Sequence, residues 1–468
     1  AGDAFGAALA LGNLDEDAFP DLVVGVPGDD AAPANQDTGD AVLLHGSAGG
    51  LTGAGSLSIN VGGVGSVEAG DHFGAALAAR DFDNDGLGDL AAGIPLEDVD
   101  HLRDAGAIAY FQGPLGGPDG AEDRPLHQDS AGVPGAAEAG DHFGAALEAG
   151  FFNNDNFYDL VVGVPGENLD ATADAGAVNV FFGSAGGLPA TSQVLVQDNP
   201  EAGDQFGAAL ATGFIDGGFY DLVVGAPGEN VGATVDAGAA NFFSSGTTGV
   251  LPPVSGPALL QDNPEAGDQF GAALTSGFFN GGFLDLVVGA PGENVGATVD
   301  AGAANFFSAL ATGGLPPVSG PALLQNNPEA GDQFGAALAT GVSSGAFDDL
   351  VVGAPGETVG AAVDAGAANI FPTDFTGVLP SVSGPALLQD NPEAGDRFGA
   401  ALTAKFLDGG FLFDVVVGAP GENVGATVDA GAANVFTNPS GMVPAVSNQT
   451  LLQGNPEAGD QFGAALDV

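Results

Sequence analysis

The sequence predicts an all-β fold, a seven-bladed β-propeller of four-stranded blades. Three observations predict it. The phrase Ala-Gly-Asp-x-Phe-Gly-Ala-Ala-Leu begins at Ala1, Ala69, Ala139, Ala202, Ala266, Ala330, Ala394 and Ala458, so the chain is an array of one small unit. Each of the first seven copies is followed by a phrase of the Asp-Leu-Val-Val-Gly-x-Pro type. Between these, every unit carries short apolar segments separated by Gly, Pro, Asp and Asn, of strand length and too short for ordinary helices.

The unit Ala202 to Glu265 serves as the type. Its four segments are Phe206 to Ala211, Leu222 to Ala226, Ala237 to Phe243 and Ala258 to Gln261. Phe206-Gly207-Ala208-Ala209-Leu210 is built of small residues and suits an innermost strand, where backbones converge on an axis. Leu222-Val223-Val224 is apolar without alternation, as expected of a strand covered on both faces by neighbouring blades. Gly225 and Pro227 end it, because proline cannot donate to a sheet ladder. Four short strands at regular intervals are the pattern of propeller blades. A β-solenoid is the competing architecture, but its coils are usually shorter than these units.

The predicted blades are residues 1–68, 69–138, 139–201, 202–265, 266–329, 330–393 and 394–457. Units four to seven are near copies, with Gly-Ala-Pro-Gly-Glu-Asn-Val-Gly-Ala-Thr-Val-Asp at Gly225, Gly289 and Gly418. Residues 458–468 begin an eighth repeat. Seven units close a ring, so three readings of this tail stand: a segment cut from a longer array, a strand displacing Ala1 to Leu9, or a strand donated to the next molecule, giving self-association through 458–468.

Phe-Gly, then a carboxylate-rich loop, then Val-Gly-Ala-Pro resembles the FG-GAP repeat of integrin α-subunits and of bacterial surface proteins. Phe73-Gly74, Asp81 to Asp89 and Gly93-Ile94-Pro95 form one complete instance. Asp-Ala-Gly-Ala-Val-Asn-Val from Asp174 looks more like secreted bacterial members than like integrins. The resemblance implies an extracellular or cell-surface location, calcium in the propeller loops, and adhesion or ligand binding.

Three loops are candidate metal sites. In Asp81-Phe82-Asp83-Asn84-Asp85-Gly86-Leu87-Gly88-Asp89, carboxylates at alternate positions of a tight loop can converge, with the Leu87 carbonyl adding a ligand; such hard oxygen donors suit Ca²⁺. The first loop offers Asn13, Asp15, Asp17 and Asp21 with the Phe19 carbonyl. The third offers Asn153, Asp155 and Asp159 with the Phe157 carbonyl, although Phe151 takes its first ligand position. Loops four to seven have lost the alternating carboxylates, and their final aspartate is expected to bind loop amides. Glu-Ala-Gly-Asp, as in Glu201 and Asp204, recurs as a second acidic pair and reads as a turn cap ahead of a second metal ring.

Five basic residues face 61 acidic ones, a net charge of −56. Nucleic acid is excluded as a partner, since its binding depends on neutralising phosphates, and so are anionic membrane surfaces. Bound cations, high salt or both must screen this charge, which fits a halophilic source. The apolar content argues against disorder. No cysteine is present and no apolar run spans a membrane. The histidines are scattered, and His72 and His142 share a position where other units carry Gln, Arg or Ala. No catalytic constellation is evident, so the chain is expected to be a non-enzyme that binds a protein or glycan. A structural subunit of a surface layer or filament is the alternative, and a polysaccharide-active enzyme a more distant one. The absence of tryptophan weakens a lectin role.

Overall fold

The computed structural model describes residues 8–15, 17, 19–29, 37–47, 52–59, 68–115, 124–189, 191–246, 249–309, 314–341, 347–374, 377–384, 386–405, 413–438, 443–444, 447, 449–452 and 461. Among these residues there are strands and turns and no helix. Seven antiparallel sheets follow one another along the chain, each a meander in sequence order.

The inner strands are Leu9–Gly12, Leu77–Arg80, Leu147–Gly150, Leu210–Gly213, Ala273–Gly277, Leu338–Gly341 and Leu402–Lys405. The second strands all start on an aspartate: Asp21–Val26, Asp89–Ile94, Asp159–Val164, Asp221–Ala226, Asp285–Ala290, Asp349–Ala354 and Asp414–Ala419. Third strands run Asp40–His45, Ala107–Phe111, Ala177–Phe181, Ala239–Phe243, Ala303–Phe307, Ala367–Phe371 and Ala432–Phe436. The second strands of blades two to seven are buried along their whole length, as a strand sandwiched between blades must be.

Two expectations need correction. Blades four and five have three strands; where a fourth was expected, a single bridge joins Ala240 to Leu259 and Ala304 to Leu323. Pro252, Pro253 and Pro257, and Pro316, Pro317 and Pro321, punctuate the approach to these bridges, and proline cannot donate to a ladder. The other five blades are four-stranded. Second, Phe-Gly-Ala-Ala is a turn and not the inner strand. In blade four the strand starts only at Leu210, because Gln205 and Gly207 take φ of 55° and 100°.

That turn couples neighbouring blades. The Phe206 amide donates to the Ala175 carbonyl of the preceding blade, while Gly207 N–H donates to Gly225 O of its own second strand. The Phe206 ring is fully buried and lies 5.9 Å from the Phe243 ring of its own third strand. Gly225 in turn faces the next phrase: a Cβ there would stand 2.0 Å from the Gly271 carbonyl oxygen. Hence the two glycines recur together along the chain.

The inner strands of blades two to seven, with Ala8 of blade one, line a central channel of about 530 Å³, mostly with Ala, Leu and Thr; Glu148 is the single charged lining residue among those described. A hydroxyl ladder runs around part of it: Thr212 Oγ1 donates to Ala149 O, Ser276 Oγ to Thr212 O and Thr340 Oγ1 to Ser276 O. The tail 458–468 lies outside the described residues except for Gln461, whose amide donates to Asp429 O in blade seven.

Candidate functional site

The second-blade loop joins the inner strand Leu77–Arg80 to the second strand Asp89–Ile94. Its shape follows from its carboxylates. Asp85 N–H donates to Asp81 Oδ1 and Asp83 Oδ1, Gly86 N–H to Asp81 Oδ2, and Leu87 N–H to Asp85 Oδ1, at 2.8–3.1 Å. Gly86 takes φ 96°, which lets the chain turn under the acids. Carboxylate oxygens of Asp81, Asp83 and Asp89 come within 4.8 Å of one another. Asp85 stays outside this trio, exposed and capping Leu87.

Asp89 differs from the other two. It is buried, and it accepts from Phe82 N–H, the Tyr110 hydroxyl and Gly113 N–H, at 3.0, 3.0 and 2.9 Å. Burial raises its pKa to about 6. Asp83 also receives the Gln112 side-chain amide, from the residue just past the third strand. The trio supplies only oxygen donors, three carboxylates and no cation beside them, a donor set that fits a hard divalent ion.

The first loop gathers a different set: Asp15, Asp21 and His45. His45 Nδ1 lies 3.0 Å from Asp15 Oδ2 and 3.7 Å from Asp21 Oδ1. Sequence reasoning missed His45. The signal was available in register, because His45 follows Leu44, the partner of Leu22, as Gln112 follows Phe111, the partner of Leu90. Asp21 is again the anchor, accepting from Leu14, Asp15 and Gly46 amides. Asp17 is exposed and caps Phe19, while Asn13 donates to the Asp17 carbonyl. An imidazole already partners these acids, so this loop suits a hard cation less well than the second.

In the third loop Asn153 Oδ1 accepts from Asp155 N–H, and Asp155 Oδ1 from Phe157 N–H. Asp159 accepts from Phe152 and Gly183 amides. Phe151, at the first ligand position, packs on Tyr158 at 4.1 Å between centroids. In blades four to seven the final aspartates Asp221, Asp285, Asp349 and Asp414 accept amides of Ser245, Ala309, Thr373 and Asn438. This aspartate therefore ties the second strand to the end of the third in every blade, with or without a metal.

The recurrent Glu-Ala-Gly-Asp pair is rearranged. Asp204 Oδ2 accepts the Glu201 amide at 2.5 Å, the expected cap. Its side-chain partners are instead Gln197, from the end of the preceding blade, and Glu229, after the second strand of its own blade. Burial first, then the charge of Asp204, raises the pKa of Glu229.

Residues 73–111 match the FG-GAP repeat model. The segment runs from Phe73 to Phe111 and contains the whole Asp81–Asp89 loop. The propeller carries an FG-GAP repeat in its second blade and is similar to integrin alpha chains. It is 32% identical over 235 residues to integrin alpha-5 of Xenopus laevis, covering 48% of this chain and 20% of that protein. It is 35% identical over 170 residues to integrin alpha-PS5 of Drosophila melanogaster, covering 34% and 15%. It is also 30% identical over 174 residues to phosphatidylinositol-glycan-specific phospholipase D of Rattus norvegicus, covering 37% and 20%. The chain thus spans a fifth or less of the length of these relatives. No helix among the described residues is long and apolar enough to cross a membrane.

Proposed function

We propose that this propeller is an extracellular, calcium-binding adhesion or ligand-binding module that performs no catalysis. The observation that carries the reading is the Asp81, Asp83 and Asp89 trio, placed inside the stretch that matches the FG-GAP repeat. Calcium there would draw Asp81 and Asp83 onto the anchored Asp89 and stiffen the hairpin between two strands. The first loop, through Asp15 and Asp21, and the third, through Asn153, Asp155, the Phe157 carbonyl and Asp159, would be weaker seats. Similarity to integrin alpha chains supports the adhesive role, and the ligand would be a protein or a glycan. Immobilised protein probed with extracellular-matrix proteins and a glycan array, in calcium and in chelator, tests this. Calcium-dependent capture of a defined ligand is the expected result; no capture in either condition overturns it.

The second reading is a structural subunit of a surface layer or filament. One observation favours it: Val235, Val299, Val363 and Val428 sit at equivalent places on blades four to seven, each 57–58% exposed, so those blades present one repeated surface. Electron microscopy in calcium separates the two readings. Isolated discs support the binding module, and regular chains of discs the filament.

A further inference from the structure

The six blade junctions hold a second family of acidic seats, away from the hairpin loops. At the junction of blades three and four, Gln197 Nε2 donates to Asp204 Oδ2 and, at 3.1 Å, to Glu229 Oε2. The same Gln–Asp–Glu grouping recurs as Gln261, Asp268 and Glu293, as Gln325, Asp332 and Glu357, and as Gln389, Asp396 and Glu422. Gln128, Asp141 and Glu167 form the counterpart one blade earlier, and Asp71 and Glu97 the one before that.

Every seat leaves at least one buried oxygen without a donor, and four of them leave both the Asp and the Gln oxygen bare. Asp204 is fully buried and Gln197 is 3% exposed, yet Asp204 Oδ1 and Gln197 Oε1 have no hydrogen-bond donor. The same two oxygens are bare at Asp141 and Gln128, at Asp332 and Gln325, and at Asp396 and Gln389. Gln197 Nε2 donates to both acids, and its Oε1, on the same small amide group, is buried without a donor. Two carboxyl groups in contact at a buried site cannot both be charged unless something positive lies between them. No lysine or arginine supplies it, since the basic residues of the chain are Arg80, Arg103, Arg124, Arg397 and Lys405. A proton on Asp204 Oδ1 or a cation between the two oxygens would satisfy both, and the stoichiometry below separates the two.

We propose that the Gln–Asp–Glu seats at the blade junctions bind hard cations, calcium foremost, through Gln Oε1 and the facing carboxylates. Gln comes from one blade and Asp and Glu from the next, so each ion would clamp two blades together. These seats are independent of the hairpin loops. The ring of ions would also neutralise charge inside a strongly acidic chain, where repulsion opposes the compact state.

The test is calcium stoichiometry on the full chain at neutral pH, by equilibrium dialysis with metal analysis. The unmodified protein should bind more equivalents than the three hairpin loops can hold; three or fewer overturn the proposal. The variant Glu229→Gln, Glu293→Gln, Glu357→Gln, Glu422→Gln should lose one equivalent per substituted junction. A variant that keeps every equivalent overturns it, and one that keeps them while its stability becomes indifferent to pH shows a shared proton in the seats instead. Should the combined variant not fold, Glu357→Gln alone is read for the loss of one equivalent. Asp83→Asn removes a hairpin-loop ligand only, so failure of the loop site is recognised separately.

Discussion

The amide of Gln461 donates to the carbonyl of Asp429 at 3.0 Å. The same position of the phrase makes the same bond at the four preceding junctions: Gln205 to Asp174, Gln269 to Asp236, Gln333 to Asp300 and Arg397 to Asp364. Gln461 also shares their left-handed backbone, with φ 52° against 54–55°. Gln461 is thus seated on blade seven as its counterparts are seated on theirs. Removing residues 461–468 should lower stability by about 1 kcal/mol for this bond alone. Urea midpoints of the full and shortened chains check it. An unchanged midpoint, together with a fall in assembled mass, would show that the tail serves a neighbouring molecule.

Asp83 and Asp89 should separate metal binding from folding. Asp89 satisfies three donors from three segments, so Asp89→Ala leaves them unpaired and should cost about 3 kcal/mol or more, in calcium and in chelator alike. Asp83→Asn should instead abolish the gain in melting temperature that calcium gives the second loop. In chelator it should be neutral or stabilising, because it removes one of three crowded negative charges. Melting curves of both variants with and without calcium are the measurement; a calcium response retained by Asp83→Asn rules out the trio as a site.

Much of this was legible in the sequence because the repeat carries its own constraints. Phe-Gly and Gly-Ala-Pro mark positions where one blade's carbonyl meets the next blade's glycine, and no other side chain fits there. The anchoring role of the last loop aspartate was equally readable. What stayed hidden depends on register between distant segments. His45 stands 30 positions from Asp15, and Glu229 is 32 from Gln197; only the pairing of strands brings them together. Phe-Gly-Ala-Ala is apolar enough to pass for the start of the inner strand, whereas its left-handed residues make it a turn.

Gly225 offers the sharpest test of that inter-blade contact. Its φ is ordinary, so alanine brings no backbone strain, yet the new Cβ would lie 2.0 Å from Gly271 O. Gly225→Ala should force blades four and five apart and destabilise the protein by about 2–4 kcal/mol. At Gly232, by contrast, a Cβ meets nothing within 4 Å and only φ 67° opposes it, so Gly232→Ala should cost about 1 kcal/mol. Denaturant midpoints compare the two, and equal losses would mean that the blades yield easily.

The junction acids fix how stability depends on pH when calcium is chelated. Glu97 has its pKa raised from 4.5 to about 8, by burial first and then by the charges of Asp71, Glu68 and Asp98. The folded state therefore holds this proton more tightly than the unfolded chain does. Its contribution is complete below about pH 4.5 and is lost as pH rises through about 8. Glu229, Glu293, Glu357 and Glu422 are shifted in the same direction, so their contributions accumulate. In chelator the melting temperature should fall steadily between those limits. Glu97→Gln, which resembles the protonated acid at every pH, should flatten its share of the slope and melt higher than the unmodified protein at pH 8. A Glu97→Gln profile parallel to that of the unmodified protein would show that Glu97 stays charged in the folded state. Calcium should flatten the unmodified profile too, because a cation in the seat replaces the proton as pH rises.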